Sequence, residues 1–303
     1  MVSSAVDRRI GMMIQYMTPV LRAPAKASFA YSHVIFFGVL ILVCYAPAVV
    51  SLASDWINDE NMGHGFFVPP VVAYILWQEK DELKKIRPQT NWWGLLLVLL
   101  GAAQSLIGTL GVELFVARSA LIVTLIGAVW FLGGTALLKK LAFPLFLLCF
   151  MVPLPTLIYN SLTFPLQMLA SRLAGDALMI LGIPVLREGN ILSLPNKDLN
   201  IVEACSGIRS LLSLTFLSLV YGYFFEKKAW IRGMLFVATL PIAILANAGR
   251  VTITGILSQI KPELAEGFFH ESTGFVIFLI ALGFLLLFHR AVLWGSRLVK
   301  ARV

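Results

Sequence analysis

Three residues whose side chains suit acyl transfer stand near the ends of apolar segments in the second half of the chain. Cys205 lies in NIVEACSGIRSLLSL, Arg250 in ANAGRVTITGIL and His270 in GFFHESTGF. A thiolate is a nucleophile, a histidine carries protons near neutral pH, and a cation stabilises a developing oxyanion. Together these residue types make up a cysteine-based acyl-transfer site.

Each of the three also has a plain structural explanation. Cys205 could be a small buried hydrophobic residue, Arg250 could reach lipid headgroups or pair with a carboxylate, and an interfacial histidine needs no catalytic role. The catalytic explanation is supported by the expectation that Cys205 or Ser206 stands at a helix N-cap, where the helix dipole lowers a thiol pKa. From the residues alone, the structural and the catalytic explanations both stay open. The other two cysteines, Cys44 and Cys149, fall inside apolar runs, where a thiol stays neutral.

The elements that must position these residues are membrane-spanning helices. The chain has 303 residues, 59% of them hydrophobic and 13% charged, with a mean hydropathy of +0.86. This composition excludes a soluble domain and a disordered chain, and it predicts an all-α polytopic bundle. Since a span needs about 20 apolar residues, we expect eight helices: 33–53, 65–77, 92–112, 118–138, 141–159, 208–225, 233–256 and 273–290. The segment 161–183, interrupted by Arg172 and Asp176, is predicted to be interfacial or re-entrant.

The distribution of charge predicts that both termini are cytoplasmic. Most Lys and Arg residues fall in five segments that this orientation places inside: 1–32, 78–91, 139–140, 226–232 and 289–303. The net charge of +8 therefore follows from membrane topology and does not indicate nucleic-acid binding. In this orientation Cys205, Arg250 and His270 come from three successive helices and share one outer depth, on the same face as His64.

The chain is expected to form one membrane domain, 33–290, between a basic cytoplasmic segment, 1–32, and a basic cytoplasmic tail, 291–303. Turn-forming residues around ILSL predict a small extended hairpin at 187–202 on the outer face, which we interpret as a positioner of a substrate strand. Three cysteines without paired spacing indicate neither a disulfide framework nor a zinc site, and we expect no metal or other cofactor.

Four motif blocks resemble those of the exosortase/archaeosortase family. They are ACSGIRS around Cys205, NAGR ending at Arg250, FHESTG around His270, and HGFFVPPVVAYILW from His64 to Trp77. Their order, spacing and topology agree with the family, and the resemblance covers the chain from about 35 to 290. Any single block is weak, but the ordered set is specific.

The resemblance implies a membrane cysteine protease or transpeptidase of the bacterial inner membrane with its site facing outward. Its substrates would be membrane-anchored proteins with a C-terminal sorting signal, which comprises a short motif (PEP in the commonest class), a transmembrane helix and a basic tail. Cys205 would form an acyl-enzyme, Arg250 would polarise the carbonyl, and His270 would act as acid and base. Supporting positions are His64, Asn247, Glu203, Ser206 and Arg209. Exopolysaccharide biosynthesis machinery is a further expected partner.

Two other classes of protein remain open from the sequence. A transporter or flippase of lipid-linked glycans would use Arg250 and the outer histidines to bind an anionic headgroup, and it would be expected to carry charge along a path across the membrane. A non-catalytic subunit of an envelope-polysaccharide assembly would tolerate loss of the thiol.

Overall fold

The computed structural model describes the backbone of residues 31–201, 207–261 and 267–301, and their side chains apart from those of residues 31–34, 60, 267–271 and 299–301. Long apolar segments become helices because a bilayer offers no water to hydrogen-bond an exposed backbone. The α-helices are α1 (Tyr31–Cys44), α2 (Ala46–Asn58), α3 (Val68–Gln78), α4 (Lys80–Leu83), α5 (Trp92–Leu110), α6 (Leu114–Leu147), α7 (Thr156–Ile180), α8 (Ile208–Phe225), α9 (Ala229–Ile260) and α10 (Gly267–Ala301). Two 3-10 helices, Glu60–Phe67 and Leu148–Met151, precede α3 and follow α6.

Five helical segments of the described chain are long and apolar enough to cross a membrane. They are Trp92–Leu110, Leu114–Met151, Ile208–Phe225, Ala229–Ile260 and Ser272–Leu298. A sixth is added if Ile35–Cys44 and Ala46–Asn58, which bend by 72°, act as one span. The predicted helical membrane protein is therefore confirmed, whereas the count of eight spans stays a prediction. The predicted short span 65–77 contains an α-helix of only 11 residues, α3, which is about 16 Å long.

The helical run Leu114–Met151 doubles back on itself at Gly134. This glycine has φ 75° and ψ −175°, a conformation that is essentially restricted to glycine. Arg118, near the start of the run, pairs with Asp55, and Met151, at its end, accepts a hydrogen bond from Trp56. Since a straight helix would hold the two ends roughly 50 Å apart, their meeting at adjacent residues of α2 requires a reversal between them.

Helices α5 and α6 pack closely through glycines spaced seven residues apart. A Cβ atom on Gly94 or Gly108 would collide with the backbone of α6, at Phe131 and Ala117 respectively. Gly101 lies in the same way against Thr124. Small residues let helix backbones approach closely where lipid provides no hydrophobic drive for association.

The segment predicted to be interfacial or re-entrant belongs to one unbroken helix, α7. Its 25 residues begin directly after Pro155, so the helix predicted at 141–159 ends earlier than expected, at Met151. Arg172 and Asp176 do not interrupt α7, because both are exposed and lie four residues apart on one face. α7 is not among the five span candidates, and its position at the interface stays a prediction.

The predicted outer hairpin is a three-stranded antiparallel sheet in the order β1-β2-β3. Its strands are β1 (Leu186–Glu188), β2 (Ile191–Ser193) and β3 (Asp198–Asn200). Leu192 is fully buried and packs with Leu178 of α7 and Val251 of α9. The sheet therefore supports α9 beside Arg250.

Polar contacts sort to two ends of the helical bundle. One end holds the Arg118–Asp55 pair and the Trp56–Met151 hydrogen bond. The other holds the Lys140–Glu79 pair, the hydrogen bond from Tyr223 to Glu79, and the buried His289–Glu226 contact at 3.4 Å. The basic connections predicted to be cytoplasmic, 139–140 and 226–232, thus meet at one end.

Candidate active site

Arg250 is buried in α9 with its guanidinium against the backbone of α10. Its exposed fraction is 9%. A Cβ atom on Gly274 would lie only 3.0 Å from Arg250 Cζ and 3.1 Å from Nη2. Gly274 therefore provides the space that the guanidinium occupies, and this space lies one helical turn after His270 in α10.

Asn247, one turn before Arg250 on the same helix, packs against the start of α8. Its exposed fraction is 4%, and a Cβ atom on Gly207 would lie 2.9 Å from both its Cβ and its Cγ. Gly207 has φ +79°, a conformation that glycine adopts readily. The position therefore favours glycine for two reasons, the backbone conformation and the closeness of the Asn247 side chain. One turn of α9 thus contacts α8 through Asn247 and α10 through Arg250.

The N-cap of α8 differs from the prediction. The helix begins at Ile208 and is capped by Gly207 in the left-handed conformation, so the expectation of Cys205 or Ser206 at the N-cap is wrong. Glycine is favoured here because Asn247 leaves no room for a side chain. Cys205 precedes the cap by two residues.

Several predicted site residues lie outside the described part of the chain. They are Glu203, Cys205 and Ser206. The backbone of His270 belongs to α10, but its side chain is not described. The described residues that flank these positions, Gly207 and Gly274, meet neighbouring side chains of α9.

Arg209 and His64 belong to a second group of residues beside the start of α8. Arg209 Nε donates to Asn61 Oδ1 at 3.4 Å, which links α8 to the 3-10 helix that carries His64. The His64 side chain is 9% exposed. Burial lowers the pKa of His64, while the backbone groups of Phe150 and Asn61 oppose this shift by favouring the charged ring. Burial therefore favours the uncharged form of this imidazole.

A half-open cavity of about 740 Å³ lies beside His64. It is bounded by the end of α2, the 3-10 helix Glu60–Phe67, the start of α6, the segment that joins α6 to α7, and Leu212 of α8. Its polar lining includes Asp55, Glu113 and Arg118. Arg118 is 6% exposed and pairs with Asp55 at 2.8 Å.

Sequence reasoning missed Arg118 and Asp55 as members of a site. A signal was present, because Arg118 opens the predicted span 118–138, and a charge at the edge of an apolar run marks a functional candidate. Its partner is not visible in the sequence, since Asp55 is more than sixty residues away and belongs to another helix.

Comparison with known proteins identifies a family. The family model of transmembrane exosortases matches residues 56–287. The match includes the cavity residues Arg118 and His64 as well as Asn247 and Arg250. Neither a curated protein nor a solved structure matches the chain.

Proposed function

Because this chain belongs to the transmembrane exosortase family, we propose that it is a membrane-embedded cysteine peptidase or transpeptidase. Its substrates are exported proteins that end in a sorting signal made of a short motif, a transmembrane helix and a basic tail. The enzyme cleaves next to the motif and removes the helix and the tail.

The observation that carries this proposal is the turn of α9 from Asn247 to Arg250. Asn247 contacts Gly207, two residues after Cys205, and Arg250 contacts Gly274, four residues after His270. Since consecutive Cα atoms are about 3.8 Å apart, the chain keeps Cys205 within about 8 Å of Gly207. This connectivity supports a shared site for the thiol, the guanidinium and the imidazole.

The roles follow from the chemistry of the three side chains. His270 takes the proton of the Cys205 thiol, and the thiolate attacks the substrate carbonyl carbon to form a C–S bond. The Arg250 guanidinium stabilises the negative oxygen of the tetrahedral intermediate. The C–N bond then breaks, and His270 returns the proton to the departing amine. The product is a thioester on Cys205.

The outer position of the site fits a substrate whose cleavage motif lies just outside its own membrane helix. The three-stranded sheet packs against α9 beside Arg250 through Leu192 and Val251. We assign to this sheet the positioning of the extended motif. The proposed enzyme lies in the inner membrane with both termini in the cytoplasm. Its site then faces the periplasm.

The test is tail removal by a Cys205→Ala variant. A tagged reporter with a sorting tail is co-expressed with the enzyme, and the shortened product is measured by its mass. We expect wild-type enzyme to release the tail and Cys205→Ala to release none, because no other nucleophile replaces the thiolate.

The matched control is Cys44→Ala. Cys44 is an exposed cysteine of α1, far along the chain from the proposed site, and its loss should leave tail removal unchanged. Normal processing by Cys205→Ala, with both variants present in the membrane at wild-type amounts, would refute the cysteine mechanism.

A further inference from the structure

The turn between β1 and β2 holds the residue from which the chain enters the segment of Cys205. Ile201 N donates to the main-chain oxygen of Asn190 at 2.9 Å, and Asn190 Nδ2 donates to Ile201 O at 3.0 Å. One residue therefore satisfies both backbone polar groups of Ile201, as a buried residue requires. Ile201 is the last described residue before 202–206, the segment that carries Cys205.

Ile201 is also fixed by packing close to Arg250. Its side chain is 1% exposed and belongs to a cluster that contains Leu192 of β2 and Val251 of α9. Val251 follows Arg250 directly in the chain. The point at which the chain leaves β3 is therefore tied to the helix that carries the guanidinium.

Helix α7 supports the turn between β1 and β2 through two buried polar side chains. Ser171 Oγ donates to Gly189 O at 2.8 Å, and Gln167 Oε1 lies 3.5 Å from Asn190 Nδ2. Ser171 and Gln167 are 0% and 8% exposed, and they stand one helical turn apart. Polar groups buried in this way need partners, and the turn provides them. These contacts fix the position of the Asn190 amide.

We propose that Asn190 is a positioning residue for Cys205. Asn190 fixes the chain before the segment of Cys205, and Asn247 packs against Gly207 after it. Because consecutive Cα atoms are about 3.8 Å apart, the chain keeps Cys205 within about 15 Å of Ile201 and about 8 Å of Gly207. This inference rests on the proposed function.

Fixing both ends of a short segment reduces the number of conformations that it samples. Attack on a carbonyl requires the sulfur to lie within about 0.5 Å of its productive position relative to the other reacting groups. The Asn190 amide acts on this geometry through Ile201. Its loss should therefore slow the chemical step and leave the binding of the substrate unchanged.

The test variant is Asn190→Asp. It keeps the size of the side chain and the hydrogen bond from Ile201 N, but an oxygen replaces the amide donor that faces the Ile201 carbonyl. For tail removal by the purified full-length enzyme in vesicles, we expect kcat to fall about tenfold and KM to stay unchanged, because a misplaced nucleophile slows the chemical step. Asn190→Ala removes the donor without adding an oxygen, so its kcat should lie between those of the wild type and Asn190→Asp.

The reactivity of the Cys205 thiol gives a measurement that a loss of stability alone does not change. In a background of Cys44→Ala and Cys149→Ala, Cys205 is the single cysteine, and its alkylation by iodoacetamide is followed as a function of pH. In the proposed mechanism His270 takes the thiol proton, so alkylation of the wild type is fast near pH 7. In Asn190→Asp we expect slower alkylation near pH 7 and wild-type alkylation above about pH 9.5, where a thiol of ordinary pKa is ionised.

The matched control is Asn196→Asp. Asn196 lies in the connection between β2 and β3 of the same sheet, and its Nδ2 also donates to a backbone oxygen, that of Gln259 at 3.2 Å. The change therefore removes the same kind of hydrogen bond without releasing Ile201. At a temperature where every variant stays folded, kcat and the alkylation profile of Asn196→Asp should equal those of the wild type.

A wild-type kcat and alkylation profile in Asn190→Asp would overturn the inference. If that variant does not fold, the same result in Asn190→Ala would overturn it. Equal losses of kcat in Asn190→Asp and Asn196→Asp would also overturn it, because the effect would then belong to the sheet as a whole. Tail removal that persists in Cys205→Ala would overturn the proposed function instead.

Discussion

The absence of a side chain at Gly274 determines how closely Arg250 approaches α10. A guanidinium stabilises an oxyanion only when its planar donors point at the reacting carbonyl. Arg250 Cζ lies 3.0 Å from the place that a Cβ atom on Gly274 would occupy, so even a methyl group there competes with the guanidinium. The position of the Arg250 guanidinium therefore depends on α10 as much as on α9, the helix that carries it.

We expect Gly274→Ala to reduce tail removal about tenfold, because the new methyl group displaces the Arg250 guanidinium by a few tenths of an ångström. The variant should still fold, because alanine stabilises a helix interior by about 1 kcal/mol relative to glycine. The rate of tail removal and the thermal midpoint in detergent measure the two effects.

The control for this variant is Gly283→Ala on the same helix. A Cβ atom there meets nothing within 4 Å, so the same gain in helix propensity comes without a displaced neighbour. Equal activity of the two variants would show that the position of Arg250 against α10 does not matter for the reaction.

At the scale of elements, the start of α8 is held in place by α9. Gly207 adopts a left-handed conformation as the N-cap of α8, and Asn247 of α9 fills the space beside it. Two constraints therefore fix the N-cap that follows Cys205. One is the left-handed backbone conformation of Gly207, and the other is its contact with the Asn247 side chain.

Gly207→Ala and Gly182→Ala separate these two constraints. Both glycines have a φ near +80°, so each alanine costs about 1–2 kcal/mol in free energy of unfolding. A Cβ atom on Gly182 meets nothing within 4 Å, whereas one on Gly207 collides with Asn247. We therefore expect both variants to lose stability, Gly207→Ala more than Gly182→Ala because of this collision. At a temperature where both variants stay folded, Gly207→Ala alone should lose most of its tail-removal activity. Equal activity would contradict the proposed placement of the site beside Asn247.

At the scale of the whole molecule, polar contacts lie at the two ends of the helical bundle, and apolar helix surfaces lie between them. The cavity lies at the end that holds Asp55. The sheet segment contacts the C-terminal end of α9, where Asn196 donates to the Gln259 carbonyl, whereas α9 begins at the opposite end, beside Glu226. The positive-inside rule places the second end in the cytoplasm, since its connections carry lysine and arginine.

Labelling of single cysteines tests this orientation. In a background with all three native cysteines changed to alanine, Asp198→Cys places an exposed thiol on β3, and Lys228→Cys places one between α8 and α9. A membrane-impermeant maleimide added to spheroplasts should label Asp198→Cys at once and Lys228→Cys only after lysis. The reverse pattern would invert the topology and place the site in the cytoplasm.

Local properties of the chain were readable from the sequence. Hydropathy and the placement of charge indicated a helical membrane protein, because a backbone in lipid must satisfy its own hydrogen bonds. Turn residues around ILSL predicted the extended segment that forms the sheet. The cysteine, arginine and histidine motifs pointed to the family that the chain matches at residues 56–287.

Contacts between distant segments were decided only by the tertiary structure. The reversal at Gly134, the pairing of Arg118 with Asp55, and the lodging of Arg250 against Gly274 depend on how helices rotate and cross. Hydropathy is averaged over a whole span and carries no information on which face of one helix meets another. An acid-lined cavity arises from five separate segments, so its existence follows from packing and from no single stretch of sequence.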